Sequence, residues 1–400
     1  MLKKISVSDL SIGMYIDKFD GNWLKHPFWK ASFKLESSKD LNSIKNSEVS
    51  HLWIDTSKGD DVISTPPENT KDTAEKATTP APAKAKPATV SLEKEMLNAQ
   101  QTLTKAKQAV TDMFKQARMG NTISTEDVSP LVDEISESIN RNPAAIICIT
   151  RIKNKDDYTY LHSVAVCALM IALGKQLNYT GDMHALGMAG LLHDVGKMFI
   201  PEDILNKPGK LTDEEFETVK NHPLKGWEAL KESGEESEAV LDVCLHHHER
   251  VDGKGYPENL SGDNLSLLAR MGAVCDVYDA ITSDRSYKKG WEPADALKKM
   301  AEWQTGHFDD KVFKAFVKAI GIYPSGTLVK LKSGRLGIVT EQSDKSLLKP
   351  KIKIFFSTSS NTPIPTKTID LGRSQESIAS IEDPENWGFD RQHLIDIISQ

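Results

Sequence analysis

Histidines and aspartates crowd into one stretch of this 400-residue chain, between His162 and Asp276. His193 and Asp194 are adjacent within Gly190 to Lys197, and His222 lies in Asn221 to Gly226. His246, His247 and His248 run directly into Glu249 and Arg250, and Asp276 sits in Val274 to Asp279. A single histidine in a helix is ordinarily a packing or surface residue, but a cluster needs a common reason. A purely structural polar network would have to satisfy several bare imidazoles together in one core. Imidazole with carboxylate, and no thiolate alongside, is a donor set for borderline divalent metals. An adjacent His-Asp pair suits a site with more than one metal, because one carboxylate can bridge two ions. Two ions about 3.5–4 Å apart can clamp the attacking and leaving oxygens of a phosphoester displacement. Lys197, three residues after Asp194, shares its helix face and could hold the scissile phosphate or neutralise developing charge; a solvated lysine is the plainer alternative.

These residues need rigid elements to hold them. From about Ile135 to Ile320 the apolar period is helical nearly throughout, as in Leu161–Leu173 and Val312–Ile320, with short polar turns. Thr212 to Glu215 has the pattern of a capping box and predicts a helix start after the turn at Asn206 to Gly209. The expected fold is multi-domain and mainly α, a helical bundle flanked by a small N-terminal α+β unit and a small C-terminal β unit. Residues 1–62 form the first unit, with β-type alternation over Leu2–Tyr15, a short helix at Leu41 and Ile44, and a strand over Val49–Asp55. Residues 63–90 are rich in Pro, Ala, Lys and Thr and are expected to be a disordered linker. Residues 91–134 are a helical connector, with Leu97, Leu103, Val110 and Phe114 on one face of an exposed helix over 91–118, a candidate dimerisation surface. Residues 135–321 hold the chemistry. Residues 322–400 carry strands at Leu328–Leu331, Leu336–Thr340, Lys351–Phe356 and Thr366–Leu371.

Hydrophobic residues make up 39% and charged residues 27% of the chain, as in a soluble globular protein. A net charge of −7 argues against broad binding to a nucleic-acid polymer. The four cysteines, Cys148, Cys167, Cys244 and Cys275, form no close pair and suit a reducing compartment. No signal peptide is expected behind Met1 to Lys4, and the most apolar run, Val164–Leu173, is too short to span a bilayer. The expected location is the cytoplasm.

The ordered blocks also carry a family resemblance. His193-Asp194, His247 to Arg250, Asp252 to Pro257 with its Gly255-Tyr-Pro257 core, and Arg270 to Lys288 together resemble the HD-GYP phosphohydrolases over about residues 135–320. The first 60 or so residues resemble a small domain that often precedes that catalytic domain. The resemblance implies a cyclic di-GMP phosphodiesterase, giving pGpG with a second cut to GMP open. It implies metal ligands at His162, His193, Asp194, His222, His247, His248 and Asp276, with Asp194 bridging and His246 incidental. It gives Lys197 and Asp194 as the catalytic pair, and Lys197, Tyr256, Arg285 and Lys288 as substrate-binding residues. Asp279 and Asp284 are expected to orient those cations or cap backbone. Val251 stands where the family often has Trp. The implied cofactors are two divalent ions, iron or manganese. Three-metal members have a glutamate four residues before the first histidine, and here that position is Tyr158. In-line attack on phosphorus by a water whose pKa the metals lower is the implied chemistry. Two alternatives stay open: another cyclic dinucleotide such as cyclic GMP-AMP, or a sensor that binds without cutting. The input signal and any partner signalling proteins are not encoded in these motifs.

Overall fold

The computed structural model describes residues 2–19, 33–35, 37, 41, 44–45, 51–60, 90–150, 158–207, 209–284, 289–343 and 345–399. Residues 63–89 of the expected linker, Arg285, Lys288 and the side chain of Tyr158 lie outside the described residues. The chain divides into two compact units, Met1–Ala83 and Lys84–Gln400.

The first unit is an antiparallel sheet of β1 (Leu2–Ser6), β2 (Tyr15–Phe19), β3 (Phe33–Lys34) and β4 (His51–Asp55), in the order β1-β4-β2-β3. Pairing of Leu2 with Asp55 through Ser6 with His51 puts Ile5, Leu52 and Ile54 into a core shared with Leu10, Met14, Ile16, Leu35 and Ile44. The alternation expected over Leu2–Tyr15 is not one strand. A single 3-10 turn (Val7–Asp9) interrupts it, and Gly13 at φ 101° lets the chain reverse into β2.

The second unit is helical: α1 (Leu92–Arg118), α2 (Ser129–Arg141), α3 (Pro143–Thr150), α4 (Tyr158–Gln176), α5 (Met183–Leu192), α6 (Glu202–Leu205), α7 (Asp213–Lys220), α8 (His222–Glu232), α9 (Glu238–His246), α10 (Leu267–Thr282), α11 (Pro293–His307) and α12 (Asp310–Ile320). Helix α4 is buried from Val164 to Leu173 on every side, so it forms the axis around which the others pack. Helix α7 begins with the capping box its sequence predicts: Glu215 N–H donates to the Thr212 hydroxyl, and Thr212 N–H donates to the Glu215 carboxylate.

Helix α1 was expected to be exposed along its apolar stripe. Instead Met96, Ala99, Ala106, Val110 and Phe114 are fully buried in the common core, and Leu97 alone of the expected stripe stands well exposed, at 62%. A 27-residue helix with that much apolar surface gains more by covering α2 and α3 than by facing water.

The C-terminal strands β5 (Leu328–Leu331), β6 (Arg335–Glu341), β7 (Lys351–Ser357), β8 (Thr362–Asp370) and β9 (Ile378–Ile381) form an antiparallel sheet in the order β8-β7-β6-β5-β9. One face sends Leu328, Leu336, Ile338 and Phe356 into the helical core; the other closes over Val329, Leu331, Val339, Ile352 and Ile354. A last helix, α13 (Arg391–Ser399), puts Leu394, Ile395 and Ile398 into the same core and packs on α1. The sequence boundaries at 134 and 321 mark changes of composition, while the hydrophobic core runs across both.

Candidate metal centre

The helices bring seven side chains to one point deep in the second unit, each from a place where the backbone is fixed. His162 lies one turn into α4, His193 caps the C-terminus of α5, and Asp194 follows it. His222 is the first residue of α8, ahead of Pro223. His247 caps the C-terminus of α9, His248 follows, and Asp276 lies inside α10. The approach is close. A Cβ on Gly196 would overlap the carbonyl oxygen of His222, so only glycine lets the turn after Asp194 press against the start of α8.

Donor atoms form two groups that share Asp194: Asp194, His222, His247 and His248 in one, and His162, His193, Asp194 and Asp276 in the other. Within each group the donor atoms lie within 4.8 Å of one another. The two carboxylate oxygens of Asp194 divide the work. Oδ2 lies 3.3 Å from Nε2 of both His162 and His193, and Oδ1 lies 3.2 Å from Nε2 of His222 and 3.7 Å from Nε2 of His247. Asp276 reaches His162 at 3.0 Å with Oδ1, while its Oδ2 lies 3.6 Å from Nδ1 of His248.

The hydrogen bonds behind the imidazoles decide what their front atoms can do. Nδ1 of His193 lies 2.8 Å from the Gly190 carbonyl, Nδ1 of His222 2.7 Å from the Val219 carbonyl, and Nδ1 of His247 3.0 Å from the Val243 carbonyl. A ring nitrogen facing a carbonyl must carry the proton, so in the neutral ring Nε2 keeps its lone pair. Nε2 of His193 nevertheless faces Nε2 of His162 at 3.3 Å, and Nε2 of His222 faces Nε2 of His247 at 3.3 Å. Asp194 Oδ1 is buried with no hydrogen-bond partner. Lone pairs converging on an unsatisfied buried carboxylate oxygen are the arrangement a cation resolves, and these residues fit divalent metal.

The charge balance agrees. Burial holds His193, His222 and His248 below the ordinary imidazole value, so they are neutral donors. Asp194 stays ionised despite its burial, because the Lys197 ammonium and a hydrogen bond from His162 hold it well below the usual carboxylate range. Burial opposes charge on His162 too, yet hydrogen bonds to Asp194, Asp276 and Asp279 carry it up to about 10. Three buried carboxylates around one imidazole are an excess of negative charge awaiting a cation.

Lys197, on the 3-10 turn Val195–Phe199, ion-pairs with Asp194 Oδ2. Tyr256 stacks at a tilt on His248, ring centroids 4.8 Å apart, and burial raises its phenol well above the ordinary value. His246 points away from the donors, bonding Asp242 through Nδ1 at 2.8 Å and Glu258 through Nε2 at 3.2 Å. Asp284 caps backbone, accepting from Gly290 N–H at 2.8 Å. Asp279 has a role the sequence reading missed: its Oδ2 lies 2.6 Å from Nδ1 of His162, where His193, His222 and His247 use carbonyls. Its position one turn after Asp276 on α10 was the available signal. Glu249, also buried, accepts the Glu258 N–H at 2.7 Å and so ties down the loop that carries Tyr256.

Known proteins match the chain in two ways. A domain of unknown function, DUF3391, matches residues 2–128, and an HD domain matches residues 137–312. A cyclic di-GMP phosphodiesterase of Pseudomonas aeruginosa is 53% identical over 393 residues, covering 97% of this chain and 94% of that protein. A cyclic di-GMP phosphodiesterase response regulator of Xanthomonas campestris pv. campestris is 40% identical over 140 residues, 34% of this chain and 36% of its own. A 3′3′-cGAMP-specific phosphodiesterase of Vibrio cholerae is 34% identical over 176 residues, 44% of this chain and 41% of its own. The chain belongs to the HD-domain phosphodiesterase family. Within it, the chain has the architecture of an HD domain preceded by DUF3391.

Proposed function

We propose that this protein hydrolyses cyclic di-GMP to pGpG, with GMP as the product of a second cut, in a reaction that needs two divalent ions, iron or manganese. The observation that carries the reading is Asp194, whose two oxygens face two separate histidine sets in a chain that matches a cyclic di-GMP phosphodiesterase along nearly its whole length. Bound ions supply Lewis acidity at the phosphoryl oxygens and lower the pKa of water.

The chain's own groups do the rest. His162, His193, Asp194 and Asp276 would hold one ion, and Asp194, His222, His247 and His248 the other. The Gly190, Val219 and Val243 carbonyls and Asp279 fix His193, His222, His247 and His162 in the orientation that presents Nε2. Lys197, already beside Asp194 Oδ2, takes up negative charge that grows on the phosphoryl oxygens. Tyr256 forms a wall against His248 for the nucleoside. Arg285 and Lys288 bind the phosphates. The four cysteines are free and buried, which supports a reducing cytoplasm as the place of action. Among the described residues no helix is long and apolar enough to cross a membrane.

The test is product analysis after incubating metal-loaded protein with cyclic di-GMP and with cyclic GMP-AMP. Release of pGpG, faster than any product from the mixed dinucleotide, is expected. Tight binding of cyclic di-GMP without product under any metal would make the protein a sensor instead.

A further inference from the structure

Beyond the donors, a line of side chains leads from the buried centre to the surface. The Tyr256 ring lies against His248, and Lys220 Nζ stands 5.9 Å from the Tyr256 ring centroid. The same ammonium stands 5.0 Å from the centroid of Phe216. Phe216 and Lys220 are four residues apart on α7, so they share a face, and α7 runs through Asn221 directly into His222. Phe216 is 47% exposed. Lys220 has one other partner among the described residues, Glu217 at 2.6 Å, an exposed pair that contributes little and exchanges readily.

We propose that Phe216 and Lys220 form the guanine subsite: Phe216 stacks on the base, and Lys220 donates to its O6 and N7. The proposal deepens the function given above and rests on it. A phosphate held beside Asp194 and Lys197 leaves its nucleoside no place among the buried donors, so the base lies outward, past Tyr256. That direction meets an exposed aromatic face and an ammonium. The π-face of phenylalanine accepts any base. The ammonium selects, because guanine shows two acceptors, N7 and O6, on that edge, whereas adenine offers N7 beside an amino donor. A lysine that served only to steady α7 through an i,i+4 contact would have no effect on which purine is cut.

The experiment measures kcat and KM of the metal-loaded full chain on cyclic di-GMP, cyclic di-AMP, which has no guanine, and bis(p-nitrophenyl) phosphate, a diester without a purine. Phe216→Ala is expected to raise KM for cyclic di-GMP about tenfold, the effect of losing one stacked base, with kcat nearly kept. Phe216→Trp should restore the low KM. Lys220→Gln, which offers adenine a matching edge, should cut the preference for cyclic di-GMP over cyclic di-AMP about tenfold. Wild-type KM in Phe216→Ala together with an unchanged purine preference in Lys220→Gln overturns the subsite. So does an equal loss on all three substrates with a lowered Tm, which marks a role in α7 alone. A wild-type protein that cuts the small diester and leaves cyclic di-GMP intact overturns the substrate assignment and the subsite with it.

Discussion

At the floor of the site, His193, His222 and His247 each stand at a helix terminus, with Nδ1 held by a backbone carbonyl of the same or preceding turn. At the rim, Phe216, Lys220 and Tyr256 meet across α7 and the loop after α9, through ring and ammonium contacts about 5–6 Å long. The floor is fixed by backbone and admits little change. The rim is side-chain contact, half exposed, and can be altered without disturbing the fold. On the function and subsite proposed above, metal binding and bond cleavage belong to the floor, and choice of substrate to the rim.

The sharpest way to break this division is at Asp194. Asp194→Ala removes the one residue common to both donor groups, so metal content and turnover should fall together, turnover by about a thousandfold. Metal analysis beside the rate checks this, and retained metal with retained rate would dissolve the floor as a unit. Lys197→Ala should keep the metal and lose about a hundredfold in kcat, since it acts on developing charge. Unchanged kinetics would remove Lys197 from the reaction. Asp279→Asn tests the carboxylate behind His162: metal affinity should weaken about 10–100-fold as His162 loses its anionic partner. Titration of the apoprotein with manganese reads this directly. The smallest effect belongs to the start of α7, away from the donors. Thr212→Ala breaks the capping box of α7 and should cost about 1 kcal/mol in thermal unfolding with metal content unchanged.

The same contrast explains what the sequence made legible. Helix ends and ligand types announce themselves: the Thr212 capping box, Pro223 behind His222, and the adjacent His193-Asp194 all mark fixed backbone positions. The strands Leu328–Leu331 and Lys351–Ser357 were legible for the same reason, a local period bounded by turns. Contacts between distant segments were not. Asp279 stands one turn after Asp276, a local signal, but that spacing does not say which histidine, here one 117 residues earlier, it would meet. The burial of α1 depends on α2 and α3 being there to receive Val110 and Phe114. Strand β9 escaped because Ile378 to Ile381 carries only two large apolar residues and pairs at one edge. Helix α13 did leave a signal, the spacing of Leu394, Ile395 and Ile398, in a segment read only for strands.

The central claim is that Asp194 joins two donor groups, each sized for one ion. It is tested most directly by anomalous scattering from crystals of the active, metal-loaded protein, with metal analysis of the same sample. Two ions per chain, one on each side of Asp194, are the expected result. A single ion bound by both groups, or three tightly held ions per active chain, would contradict it.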